Sequence, residues 1–126
     1  MMRPQTRDRR RALFEEAKRI IDREYPQELD LDSLARRLAT SRRQLQRSFA
    51  EMGDTSFRTY LAQVRMAKAV ELLHEGRLPV RDVAVSVGYR QPAQFAKTFR
   101  RHHGKPPSSF RPRRGGSTAQ PDALPA

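Results

Sequence analysis

Arginine, glutamine and lysine recur at matched positions in two segments of this 126-residue chain. In SRRQLQRSFAEMG, residues 41–53, Leu45 and Phe49 stand four apart and mark one face of a helix. At about 100° per residue, with that pair inward, Arg43 and Arg47 point most directly outward, and Gln46 and Ala50 flank them. In QPAQFAKTFRRHHG, residues 91–104, Phe95 and Phe99 are the inward pair. Ala93 and Lys97 then point outward, flanked by Gln94, Ala96 and Arg100. A guanidinium pairs bidentately with phosphate or with the acceptor edge of guanine, and a glutamine amide pairs with adenine. The chemistry on offer is recognition of a polyanion that carries base edges. It is not the making or breaking of bonds.

Composition narrows the choice in the same direction. Lys plus Arg is 26 against 14 acidic residues, a formal net charge of +12, so the expected partners are polyanions. There is no cysteine, which removes disulfides, thiol chemistry and cysteine-ligated zinc. The three histidines are His74, His102 and His103, and the last two are adjacent and cannot share a helix face. No metal and no cofactor is expected. No Ser/His/Asp cluster, paired carboxylate or phosphate-cradling glycine loop appears, so an enzyme is not expected. No apolar run reaches the roughly 20 residues of a membrane helix, and no apolar segment follows the basic N-terminus as a secretory signal requires. The cytoplasm is the expected compartment.

The elements that must position these side chains read as helices almost throughout. Residues 1–11, MMRPQTRDRRR, are basic and lack periodicity, and are expected to be a flexible arm. Leu13, Phe14, Ala17, Ile20 and Ile21 form an apolar stripe that ends at Tyr25-Pro26, because the residue before proline avoids the helical region. Asp30 stands as N-cap of LDSLARRLA, with Leu34, Ala35 and Leu38 inward. Ser41 caps the next helix, and Ser41-x-x-Gln44 has the form of a capping box. A long helix is predicted from about Ser56 to His74, with Phe57, Tyr60, Leu61, Val64, Ala67, Leu72 and Leu73 on its apolar side and Gly76 as its stop. Two short helices follow, joined at Gly88, with Pro92 in the first position of the second. The β-branched run VAVSV keeps a strand as the alternative there. From residue 112 on, Pro, Gly and small residues predict a disordered tail.

The two segments of the opening are one unit written twice. Each has a short helix with an inward alanine (Ala35, Ala84), a small residue at the turn (Ala39, Gly88), and a second helix with two apolar residues four apart. The period is about 50 residues, within the range of duplicated supersecondary units. Each copy reads as helix–turn–helix, in which the second helix enters the major groove of DNA. That explains a helix with an apolar back and a front of arginine and glutamine. On a single helix these arginines would be read as a solvated face. Matched faces on a duplicated unit, in a chain of this charge, favour DNA. Arg65 belongs to neither face and is expected to hold the long helix to a neighbour.

On these segments the chain resembles the DNA-binding domain of the AraC/XylS family of bacterial transcription regulators over about residues 14–111. The resemblance rests on LDLDSLARRLATSRRQLQRSF, on YLAQVRMAKAVELL and on PVRDVAVSVGYRQPAQFAKTFRRHHGKPPSSFR. It implies an all-α fold of about seven helices, in which two helix–turn–helix subdomains (about 12–54 and 79–111) are joined by a long linker helix, about 56–74. It implies a monomer that presents two recognition helices to successive major grooves of double-stranded DNA, and RNA polymerase as a further partner. The family's base-contacting positions fall on Arg43, Gln46 and Arg47, and on Ala93, Gln94 and Lys97; Arg42, Arg90, Gln91 and Arg100 complete the DNA-binding set. Two departures stand out. Asp54 occupies the place of the usual glycine after the first recognition helix, and Gln91 replaces the usual Asp or Ser at the second N-cap. Asp tolerates the left-handed conformation, whereas Gln91 weakens the cap. Ala93 offers no hydrogen bond to a base, so the second unit is expected to add affinity and shape fit more than sequence choice.

The expectation is therefore a sequence-specific transcription regulator. No small-molecule effector is evident, and no effector domain fits before residue 12, so a stand-alone regulator or one half of a split regulator is expected. The rival readings are a non-specific architectural DNA binder and a protein-interaction module whose charge serves only solubility.

Overall fold

The computed structural model describes residues 4–112. These form six α-helices and a short 3-10 helix, with no strand among the described residues. The helices are α1 (Pro4–Glu24), α2 (Leu31–Arg37), α3 (Arg42–Gly53), α4 (Phe57–Glu75), α5 (Val80–Ser86) and α6 (Pro92–His103), and the 3-10 helix spans Pro107–Phe110. The all-α class is as expected, the seventh helix being the 3-10 turn. VAVSV lies within α5 and its end, where Val83 and Val87 are fully buried and Val85 is exposed, a helical rather than an alternating pattern.

The basic arm expected over residues 1–11 is corrected from residue 4 onward, since α1 begins at Pro4. Residues 4–11 carry no apolar periodicity, yet they are helical. Helix propagation needs no apolar face once a packed segment has nucleated it, and proline suits the first turn. Arg10 also anchors the extension: its side chain is only 10% exposed and forms an ion pair with Glu51 of α3 at 2.5 Å. The disordered tail expected from residue 112 falls, beyond Pro112 itself, outside the described residues, as do residues 1–3.

The described residues divide into two compact units, one running up to Arg65 and the other from Met66 onward. The core of the first gathers Phe14, Ala17, Ile20 and Ile21 from α1, Leu34 and Ala35 from α2, Leu45 and Phe49 from α3, and Phe57 and Leu61 from α4. Three ring contacts centre on Phe49: Phe14 meets it edge-on at 5.2 Å, and Phe57 and Tyr60 each at 6.3 Å. Such pairs add about 0.5–1.5 kcal/mol each beyond the area they bury. The core of the second unit takes Met66, Ala69 and Leu73 from α4, Val83 and Ala84 from α5, Val87 after it, and Phe95 and Phe99 from α6. The helix expected to be a linker is thus a core element of each unit. Ala67, expected on its inward side, is exposed, and Met66 takes the buried place.

Candidate nucleic-acid interface

In the first unit, α2 and α3 are joined by a tight turn that sets how α3 lies on the core. Its pivot is Ala39, in the left-handed region at φ 53°, and Thr40 donates its N–H to the Ala35 carbonyl at 3.0 Å. Ser41 then starts α3: its extended backbone and its Oγ, which accepts the Gln44 N–H at 3.1 Å, satisfy one of the orphan donors of the first turn. Leu45 and Phe49 are completely buried and fix the helix rotation. Ser48 is buried with them and donates its hydroxyl to the Gln44 carbonyl at 2.9 Å. Asp54 ends the helix in the left-handed conformation at φ 50°, the role expected of it in the place of glycine.

That rotation leaves Arg42, Arg43, Gln46, Arg47 and Ala50 exposed. Arg42 lies 3.5 Å from Asp32 across the α2–α3 corner, both side chains well exposed. Arg43, Gln46 and Arg47 make no side-chain hydrogen bond or ion pair among the described residues. A shallow, mainly apolar groove of about 480 Å³ runs along the Gln46 side, with Leu31, Arg42, Ala50, Phe57 and Arg58 on its walls.

The second unit repeats the plan with weaker fastenings. Gly88, at φ 106°, stands where Ala39 does, and the Tyr89 N–H reaches the Ala84 carbonyl at 2.9 Å. Gln91 gives α6 no side-chain cap, as its residue type predicted, and Pro92 supplies the first turn. Phe95 and Phe99 are completely buried, their rings tilted by 48° with centroids 5.7 Å apart. Arg90, Gln91, Ala93, Gln94, Lys97 and Arg100 are exposed, and Gln94, Lys97 and Arg100 make no side-chain bond among the described residues.

Other basic residues have structural work. Arg65 donates from Nε to the Tyr25 carbonyl at 2.9 Å and from Nη2 to the Gln27 carbonyl at 3.0 Å, tying α4 to the loop after α1. Arg37 grips both oxygens of Glu24 at 2.7 and 2.8 Å, which holds the Glu24 carboxyl below the usual carboxylate range. Arg111 donates to the carbonyls of Leu78 and Gly76 and closes the base of the second unit. Tyr60 donates its hydroxyl to Asp22 at 3.0 Å; burial, together with that carboxylate, pushes its pKa up to about 12. His103 packs on Phe99 and Phe110 at 4.5 and 5.5 Å, and burial, then the neighbouring His102, lowers its pKa. Sequence reasoning missed Arg10 and Arg37. The inward side of Arg10 was legible, since it stands one turn before Phe14 on the same stripe, but its partner Glu51, 41 residues away, was not. Arg37 was not, because its partner is 13 residues away across a loop.

No cluster of three or more metal-ligating side chains occurs among the described residues, and none of their helices is long and apolar enough to cross a membrane. A family model for a helix-turn-helix domain matches residues 34–113. The Msm operon regulatory protein of Streptococcus mutans is 33% identical over 101 residues, which is 80% of this chain and 36% of that protein. The chain spans between about a quarter and four tenths of the first four curated relatives it matches. Among solved structures, the C-terminal domain of AraT, a response regulator from Geobacillus stearothermophilus, superposes with a TM-score of 0.76 at 32% identity, covering 79% of this chain and 83% of that one. The DNA-binding domain of AdpA, a global transcriptional factor solved in complex with a target DNA, superposes at 0.73 with 27% identity, covering 77% of this chain and 87% of that one.

Proposed function

The chain belongs to the AraC-type helix-turn-helix family of DNA-binding transcription regulators, and from that premise we propose that it reads a specific double-stranded sequence as a monomer, with α3 and α6 in successive major grooves. One observation carries this reading. The cations on the outer faces of α3 and α6 (Arg43 and Arg47; Lys97 and Arg100) have no partner among the described residues, whereas Arg10, Arg37, Arg65 and Arg111 are bonded to other groups of the fold. Unpaired cations on a helix of fixed rotation are suited to phosphates and base edges.

In this reading Arg43, Gln46 and Arg47 supply the base contacts of the first unit, and Arg42 adds a phosphate contact. Glutamine favours adenine and arginine favours guanine. The groove beside Gln46 leaves space for the edge of a neighbouring sugar or base. In the second unit Gln94 and Lys97 face the groove, and Arg90, Gln91 and Arg100 flank them. Ala93 lends only a methyl, and α6 lacks a side-chain cap. The second unit therefore contributes affinity and shape fit more than sequence choice. RNA polymerase is the protein partner that a transcription regulator of this kind would meet at its promoter.

The test is selection from a random duplex pool at about 150 mM salt, where binding through phosphate alone is suppressed. Enrichment of a defined motif is expected. An unenriched pool would overturn the specific-regulator reading and leave the architectural, split-regulator and protein-interaction readings.

A further inference from the structure

Arg43, Arg47 and Glu51 stand four residues apart and lie on one exposed row of α3. Glu51 is the single acid on that helix. A carboxylate there is out of place. It lies in the last turn, where the helix dipole disfavours negative charge, and on the row that faces a polyanion. It is also one turn from Arg47, within reach of an i,i+4 ion pair that would occupy the guanidinium.

The fold directs this carboxylate elsewhere. Glu51 Oε1 is 2.5 Å from Nη1 of Arg10, whose side chain is 10% exposed while that of Glu51 is 38% exposed. Arg10 comes from the first half of α1, ahead of the residues matched by the helix-turn-helix family model. One turn further along α1, Phe14 packs edge-on against Phe49, and its ring fills the space over Gly53, where an added Cβ would lie 2.3 Å from Phe14 Cζ. The C-terminal end of α3 is thus pinned by α1 through a ring contact and an ion pair together.

We propose that Arg10 is a positioning residue for DNA reading: by holding the Glu51 carboxylate, it keeps Arg47 available to the DNA and screens the one negative charge on α3. The inference rests on α3 being a recognition helix. Arg10 itself touches no DNA in this arrangement. It acts through Glu51, so removing the carboxylate should make Arg10 dispensable for binding.

The experiment uses the full chain and the duplex that it selects from a random pool, with binding followed by fluorescence anisotropy and folding by circular dichroism. The variants are Arg10→Gln, Glu51→Gln and the pair, each with and without Arg47→Ala. Arg10→Gln is expected to weaken the selected duplex by roughly tenfold and to shrink the loss caused by Arg47→Ala, because Arg47 is then already engaged by Glu51. Glu51→Gln alone is expected to bind at least as tightly as the parent chain. Adding Glu51→Gln to Arg10→Gln is expected to restore binding and the full effect of Arg47→Ala. A double variant as weak as Arg10→Gln alone would overturn the proposal and leave Arg10 a purely structural residue. So would a loss of binding in Glu51→Gln with helix content unchanged, since the carboxylate itself would then be needed. A parent chain that selects no sequence would instead remove the reading on which the proposal stands.

Discussion

Arg47 and Arg65 are the same residue type on successive helices, and the fold gives them different work. Arg65 spends its donors on the carbonyls of Tyr25 and Gln27, whereas Arg47 is exposed with no partner among the described residues. Arg47→Ala is therefore expected to cost about 1–3 kcal/mol of binding and to relax preference at one base position, as a direct base contact does. Competition against single-base variants of the selected duplex checks this, and an equal loss on every sequence would demote Arg47 to a phosphate contact. The outward direction of Arg43, Gln46 and Arg47 was legible because Leu45 and Phe49 alone set the rotation of α3. The engagement of Arg10 with Glu51 and of Arg37 with Glu24 was not, because each joins residues on different helices. Helical periodicity specifies which side of an element faces inward, but not which neighbour waits there.

Each recognition helix depends on a buried apolar pair and on the turn before it. Leu45→Ala or Phe99→Ala is expected to destabilise the fold by about 2–5 kcal/mol, read from denaturant unfolding, because both side chains are completely buried. Loss of DNA binding with stability unchanged would contradict their place in the core. The α2–α3 turn holds an alanine at φ 53°, where the equivalent turn of the second unit has glycine. Ala39→Gly is expected to be neutral to stabilising, by up to about 1 kcal/mol, since the relief of left-handed strain outweighs the added freedom of the unfolded chain. The second unit also carries His103, whose burial favours the neutral ring. Above the ordinary histidine pKa the ring is neutral in both folded and unfolded chains. As pH falls below about 6.5 the unfolded chain takes up the proton first, so stability declines toward the lowered folded pKa. Thermal unfolding between pH 7 and pH 5 should show that decline, and it should be reduced in His103→Phe. At this scale the helices, their caps and the turn at Gly88 were legible from spacing and residue type. The start of α1 was not, because a helix that extends by propagation leaves no apolar pattern to read.

For the molecule as a whole, charge and duplication together point to DNA. A chain of net charge +12 that neutralises several phosphates should lose affinity steeply with salt, with a log–log slope of about −0.9 per phosphate contacted. Lys97→Ala or Arg100→Ala should each reduce that slope by about one if the second unit acts chiefly as a clamp. What composition and repeats left open was the place of the central helix, since the residues that serve each core within it are interleaved with exposed ones. The most direct test of two-groove reading is hydroxyl-radical footprinting on the selected duplex with the parent chain, Arg47→Ala and Lys97→Ala. The expected result is two protected patches centred about 10 base pairs apart on one face of the duplex, one weakened by each variant. A single patch, or protection weakened uniformly by both variants, would contradict the account.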